Sequence, residues 1–381
     1  MKRFKRSITL LSILITAFQI SQAQKVKNEN YNLLIGTYTS SGKSEGIYVY
    51  DFNINTGANS YKSKATGITN PSYLAISRNR KKVYSVSEAG RGKGSITAFH
   101  FDPASGELKL INSVTSGGDG PCYVEVDNND KYVFSANYGG GSLAAIRVNE
   151  DGSLNDDVQS IQHEGSSVHK DQTKPHVHTV VLSPDNKYLL VTDLGTDKVH
   201  TYRFTPGGRD ALSPANPAFV STKAGAGPRH LTFHPNRKFV YVVNELNGSV
   251  DAFSYKDGKL TSLQTITMLR QGFNGTIEAA DIHCSGDGKF LYASNREESN
   301  EIVIYSIAKN GRLKFTGRQS VLGKAPRNFV IAPGGKYLLV ANQNSDEIVV
   351  FRRNAKTGLL TDTGSHIEIG RPVCLKFVAV N

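Results

Sequence analysis

GPRHLTFHP, which begins at Gly227, is one copy of a segment that recurs through the chain and decides its fold. Related segments are NPSYLAIS at Asn70, GPCYVEVD at Gly120, HVHTVVLSP at His176, AADIHCSG at Ala279, APRNFVIAP at Ala325 and RPVCLKFV at Arg371. They return about every fifty residues along the chain. A repeat of this length is typical of solenoids, propellers and arrays.

Each repeat predicts four short β-strands. The first contains alternating apolar residues such as Leu231 and Phe233, and a turn leads from it into a richer run such as FVYVVN. A third run (SVDAFSY) and a weaker fourth (KLTSLQT) follow, separated by turn residues. No sustained helical period appears after the N-terminus. Four-stranded units repeated radially predict an all-β fold, a β-propeller.

The two ends of the chain indicate how many blades there are. Residues 31–68 supply a unit that lacks its first strand, whereas residues 371–380 supply a first strand with nothing after it. Pairing the two completes a seventh blade and removes two exposed sheet edges. The sequence therefore predicts one domain, residues 24–381, that is a seven-bladed propeller of four-stranded antiparallel blades closed by its C-terminal strand.

Residues 1–23 have the features of a cleaved signal peptide. Four basic residues precede an apolar run from Ile8 to Ile20, and Ser21-Gln22-Ala23 resembles a cleavage site. The run is short for a membrane span, so we expect export to the periplasm or the exterior and no membrane attachment after cleavage. Of the formal net charge of +12, this segment carries +4. The remaining basic residues are scattered, which argues against a nucleic-acid partner, and we expect a monomer.

The three cysteines, Cys122, Cys284 and Cys374, all fall on predicted first strands of separate blades. An odd number in separate blades predicts buried free thiols rather than disulfides. The chain has no Trp, so these are not blades of the WD40 type.

The position after the shared proline differs from blade to blade. Its occupants are Ser72, Cys122, His178, Arg229, Ala280, Arg327 and Val373. Three are His or Arg, and the start of each first strand lies beside the central channel. Charged groups rarely stay buried without partners, so we predict that His178, Arg229 and Arg327 converge on a site at the channel mouth. Structural ion pairing inside the channel is the alternative.

A second row ends the second strand of each repeat with Ser87, Asn137, Asp193, Asn244, Asn295 and Asn342, which most simply cap turns. The next residue varies and is Glu88, Tyr138, Leu194, Glu245, Arg296 or Gln343. We take Glu245 and Arg296 into the site because they fall in the same half of the ring as Arg229 and Arg327. Candidate substrate-binding residues are Arg327, His176, Asn295 and Asn342.

These residue types suit acyl chemistry on an anionic lactone. A carboxylate or imidazole can act as a general base, and guanidinium groups bind carboxylate or phosphate and stabilise an oxyanion. His176 and His178 have the spacing of two metal ligands on one strand, but no third ligand lies near them in the sequence. We therefore expect neither a metal nor a cofactor.

The chain also resembles the lactonase family of seven-bladed propellers, which includes bacterial 6-phosphogluconolactonases and fungal carboxy-muconate lactonizing enzymes. The resemblance rests on motifs spread over the chain, which are IGTYT at Ile35, HVH at His176, DLGTDKV at Asp193, GPRH at Gly227, VVNELNGSV at Val242, ADIHCSGDGKFLYASNR at Ala280 and NFVIAPGGKYLLVANQ at Asn328. It implies that a small anionic sugar lactone is the substrate. By motif, it also implies catalytic roles for His178, Arg229, Glu245 and Arg296.

Two other functions fit the same residues. The leader peptide suits an exported propeller that binds a carbohydrate or envelope partner without turning it over. A muconate-type cyclisation would use the same side chains to protonate a carbanion. The predicted export is also at odds with 6-phosphogluconolactone, a cytosolic metabolite.

Overall fold

The structure is a computed structural model that describes residues 29–380 except 41, 91 and 209. The predicted signal peptide, residues 1–23, lies outside the described residues. Within them the chain forms 28 strands. In chain order these are β1 (Asn30–Thr37), β2 (Gly46–Asn53), β3 (Asn59–Thr66), β4 (Leu74–Ile76), β5 (Lys82–Ser87), β6 (Ser95–Phe101), β7 (Leu108–Thr115), β8 (Pro121–Val126), β9 (Tyr132–Asn137), β10 (Ser142–Val148), β11 (Leu154–Gln162), β12 (Val177–Leu182), β13 (Tyr188–Asp193), β14 (Lys198–Phe204), β15 (Leu212–Ser221), β16 (Pro228–Phe233), β17 (Phe239–Asn244), β18 (Ser249–Lys256), β19 (Lys259–Thr267), β20 (Ala279–Cys284), β21 (Phe290–Asn295), β22 (Glu301–Ile307), β23 (Leu313–Ser320), β24 (Pro326–Ile331), β25 (Tyr337–Asn342), β26 (Glu347–Arg353), β27 (Leu360–Glu368) and β28 (Pro372–Ala379).

The strands form seven antiparallel sheets of four, as the repeat predicts. From the channel outwards, blade 1 is β28-β1-β2-β3, blade 2 is β4-β5-β6-β7, blade 3 is β8-β9-β10-β11 and blade 4 is β12-β13-β14-β15. Blade 5 is β16-β17-β18-β19, blade 6 is β20-β21-β22-β23 and blade 7 is β24-β25-β26-β27. Each inner strand contacts the inner strands of both neighbouring blades, so the ring is complete. The predicted all-β, seven-bladed propeller is confirmed.

The ring closes between the two ends of the chain. β28 pairs antiparallel with β1, from Tyr31 opposite Ala379 to Thr37 opposite Pro372. Val373, Cys374 and Leu375 of β28 are almost completely buried. The C-terminal strand is therefore an integral inner strand of blade 1, as predicted.

Buried tyrosines connect successive blades through their hydroxyl groups. Tyr241 donates to the carbonyl of Gly311 at 3.0 Å, and Tyr292 donates to that of Gly358 at 2.7 Å. The acceptor must be a glycine because its φ is positive and a Cβ on Gly311 would lie 2.4 Å from the ring of Phe239. Each bond satisfies a phenol that packing has removed from water.

The three cysteines are free, as predicted. Cys122 and Cys374 are buried, whereas Cys284 is partly exposed. In the part of the chain that the structure describes, no helix has the length and apolarity needed to cross a membrane.

Candidate active site

A β-bulge sets the direction of the side chains at the channel mouth. In blade 5 the pairing between β16 and β17 shifts between Pro228 and His230, which leaves Arg229 without a partner on β17. The same shift occurs around His178 and Arg327. A bulge re-aims side chains locally, so two consecutive residues, Arg229 and His230, can both face the channel.

The residue after the shared proline lines a cleft at the channel mouth in six of the seven blades. The cleft has an empty volume of about 240 Å³ and is lined by Tyr38, Ser72, Tyr73, Glu88, Cys122, His178, Arg229, His230, Arg327 and Val373. The structure thus brings together His178, Arg229 and Arg327, as the row of equivalent positions predicts.

Glu245 lies between two arginines. Its Oε2 is 2.6 Å from Nε of Arg229, and its Oε1 is 3.0 Å from Nη2 of Arg296. Arg296 also lies 3.3 Å from Glu278 at the exposed side of this group. Burial would raise the pKa of Glu245, but the guanidiniums of Arg296, Arg229 and Arg327 outweigh burial and lower it. Glu245 is therefore ionised at neutral pH.

The two ion pairs are close but imperfectly aligned. Nε of Arg229 and Nη2 of Arg296 are buried, and within the described residues neither makes an aligned hydrogen bond. Buried donors of this kind usually find an acceptor. The carboxylate of Glu245 lies within 3.0 Å of both.

His178 is buried and electrically neutral. Burial lowers its pKa well below the usual value, and the charges of Arg229 and Arg327 act in the same direction. Its ring packs edge-on against those of Tyr138 and His230, with centroid separations of 5.4 and 5.1 Å. A neutral imidazole has a nitrogen lone pair that can accept a proton.

A chain of hydrogen bonds connects Arg229 to Asp281 through His230. Asp281 accepts from Nδ1 of His230 at 2.8 Å, which leaves Nε2 of that ring to accept from Nη1 of Arg229 at 3.2 Å. Burial would raise the pKa of Asp281, but His283 and His230 lower it well below its usual value, so it stays ionised. Strict strand alternation would place His230 on the opposite face from Arg229, but the bulge brings both residues to the cleft. Asp281 binds His230 and His283.

Glu88 and Tyr38 also line the cleft, although neither was predicted from the sequence. Oε2 of Glu88 accepts from the hydroxyl of Tyr38 at 2.9 Å and from the hydroxyl of Ser72. The guanidinium of Arg327 lies over the Tyr38 ring, 5.4 Å from its centroid. Both residues follow the end of a second strand, the position that Glu245 occupies in its own blade. This shared position after the second strand could have identified them in the sequence.

Three predicted substrate-binding residues do not line the cleft. His176 stacks on Tyr138 at 4.4 Å between ring centroids and bonds the Tyr138 carbonyl. The side chains of Asn295 and Asn342 are fully buried and donate to Ser299 and to the carbonyl of Val321. These contacts match the turn-capping interpretation of that row.

Within the described residues, no third ligand groups with His176 and His178 to form a metal site. Among the described residues, the His and carboxylate group compact enough for an ion is His163, Asp193 and His200, which lies outside the cleft. His163 already bonds Asp193 at 2.9 Å through Nδ1 and the hydroxyl of Tyr202 at 2.9 Å through Nε2. A hydrogen-bond network accounts for that group.

Comparison with known proteins decides the family. The family model described as "Lactonase, 7-bladed beta-propeller" matches residues 32–377. The chain belongs to the lactonase family of seven-bladed β-propellers.

Members of this family resemble the chain over most of its length. A 6-phosphogluconolactonase of Bacillus subtilis is 35% identical over 351 residues, which cover 90% of this chain and 97% of the relative. One from Formosa agariphila is 39% identical over 308 residues, 80% of this chain and 87% of the relative. The solved structure of the periplasmic gluconolactonase PpgL from Pseudomonas aeruginosa superimposes with a TM-score of 0.88 at 42% identity, covering 92% of this chain and 100% of that one.

Proposed function

We propose that this protein hydrolyses the ring ester of a sugar lactone in the cleft at the channel mouth. The observation that carries the proposal is that neutral His178 and Arg229 line one cleft, with Glu245 bridging Arg229 and Arg296. Base, oxyanion donors and a fixed geometry are the parts that acyl transfer to water needs. Membership of the lactonase family and the names of the relatives support the same reaction.

The proposed reaction transfers a single acyl group to water. His178 takes a proton from water as the water oxygen bonds to the lactone carbonyl carbon. The carbonyl oxygen becomes an oxyanion, which accepts from Arg229 and Arg296. Collapse of this intermediate breaks the bond between the acyl carbon and the ring oxygen, and the protonated His178 returns its proton to that leaving oxygen. The product is an open-chain hydroxy acid.

Glu245 orients the two arginines in this proposal and is not the base. Both of its carboxylate oxygens contact guanidiniums, whereas His178 lines the cleft. We assign the base to His178 and assign to Glu245 the orientation of Arg229 and Arg296. Arg327, which no described carboxylate contacts directly, would bind the carboxylate that ring opening creates. The arginines therefore suit the anionic product of any lactone, whether or not the lactone itself carries a charge.

Rate measurements on a panel of lactones test the proposed function. Proton release from plain and phosphorylated aldonolactones should exceed the spontaneous rate, with kcat/KM in the range of ordinary enzymes, about 10⁴ M⁻¹s⁻¹ or more. Muconate-type substrates in the same assay distinguish cyclisation from hydrolysis. Tight binding of a sugar without acceleration for any lactone would instead favour the non-catalytic propeller.

The pH dependence follows from the two histidines in the cleft. Burial, reinforced by Arg229, lowers the pKa of His230 to about 4, and the pKa of His178 is also lowered. Both rings are neutral above their lowered pKa values, so kcat/KM should show no histidine titration near pH 6.5 and should fall only below about pH 5. Initial rates between pH 4 and 7.5, where spontaneous hydrolysis is slow, measure this. An acid limb centred on pH 6.5 would contradict the assignment of His178 as the buried base.

We further propose that the mature protein is exported and acts as a monomer. The basic and apolar pattern of residues 1–23 supports export, and one relative is named a periplasmic gluconolactonase. Cell fractionation of the full chain, together with the mass of the purified protein in solution, tests both points.

A further inference from the structure

Carboxylates offset the cations at the cleft. The side chains that line it include two cations, Arg229 and Arg327, and one anion, Glu88. Behind them, Glu245 contacts both Arg229 and Arg296. A site built to hold a phosphate dianion usually has a surplus of unpaired cations. Here Arg327 is the lining cation that no described carboxylate contacts directly.

Glu88 is the carboxylate that faces the cleft without an ion pair in the described structure. Its two partners there, the hydroxyls of Tyr38 and Ser72, are neutral and hold the carboxylate in place without cancelling its charge. Burial raises the pKa of Tyr38, so the phenol remains a hydrogen-bond donor at neutral pH. Arg327 stacks on the Tyr38 ring instead of contacting Glu88.

We propose that Glu88 is a specificity-determining residue that favours an uncharged aldonolactone over its phosphorylated form. A carboxylate only accepts hydrogen bonds, so it can bind a sugar hydroxyl but repels a phosphate. The repulsion is large in a cleft of about 240 Å³, because little water separates the two charges. This inference rests on the proposed lactone hydrolysis, and it makes plain aldonolactones the substrate class.

The test compares gluconolactone with 6-phosphogluconolactone on the purified full-length protein and on Glu88→Gln. Glutamine keeps the size of the side chain and removes its charge. We expect the parent to have the higher kcat/KM for the plain lactone, and Glu88→Gln to raise the phosphorylated-to-plain ratio of kcat/KM by about tenfold or more. Glu107→Gln, on the exposed turn between β6 and β7, removes the same charge outside the cleft and should leave the ratio unchanged.

A second variant gives a result of opposite sign. Arg327→Gln removes a cation from the same cleft and should lower the phosphorylated-to-plain ratio, so the proposal remains testable even if Glu88→Gln does not fold. Turnover of both lactones with a ratio that neither variant changes by more than twofold would overturn the role of Glu88. A parent that prefers the phosphorylated lactone would overturn it too. If the parent accelerates neither lactone, the proposed hydrolysis itself fails, and this inference fails with it.

Discussion

Removal of residues 371–381 should convert the folded protein into an aggregating, partly unfolded chain. The deletion takes away β28, which is the inner strand of blade 1 and the neighbour of inner strands in blades 2 and 7. It exposes the paired edge of β1 and uncovers apolar side chains such as Leu33 and Ile35, which are fully buried in the intact ring. Exposed edge strands recruit other chains.

The expected size of this effect is large because the strand is buried on both faces. Loss of several kcal/mol lowers the melting temperature of a domain of this size by about 5–10 °C. Scanning calorimetry and light scattering measure both consequences. Cutting residues 1–23 is the matched control at the other end and should change neither. A C-terminally truncated protein that stays monomeric and melts with the parent would rule out the closed ring.

Replacing Arg229 by lysine should cost about 10²–10³ in kcat/KM, or about 3–4 kcal/mol of transition-state stabilisation. Lysine retains the positive charge but loses the planar fork that contacts Glu245, His230 and the carbonyl of Ala280 together. The ammonium group cannot satisfy these partners and an oxyanion at once. We expect most of the loss in kcat, because the oxyanion exists only in the transition state.

Arg318→Lys is the matched control for this substitution. Arg318 lies on β23, is also mostly buried, and forms an ion pair with Glu301 at 2.5 Å, away from the cleft. Steady-state rates with plain gluconolactone should be unchanged by Arg318→Lys and reduced by Arg229→Lys, while circular dichroism reports folding of both. Equal losses in the two variants would show that a general loss of stability, and not the oxyanion contact, underlies the effect.

Several site residues could be predicted because the repeats act as controls for one another. His178, Arg229 and Arg327 depart from the small or apolar residues that other blades carry at the same position, and the structure brings all three to one cleft. Glu88 was missed although it follows the same strand end as Glu245. Asn295 and Asn342 are the opposite case. Their residue type suggested that they bind substrate, but their side chains cap buried turns.

The repeat pattern was sufficient to predict the all-β class, the seven blades and the closure by β28. Each repeat buries its alternating apolar residues only against the next repeat, so the pattern of one unit implies the ring. The other members of the cleft became known only from the folded ring. The bulge after Pro228 turns Arg229 and His230 to the same side, whereas strict alternation separates them. Ring closure places Glu88 of blade 2 in the same cleft as Arg327 of blade 7. These contacts depend on how distant strands pack together, so the local sequence does not predict them.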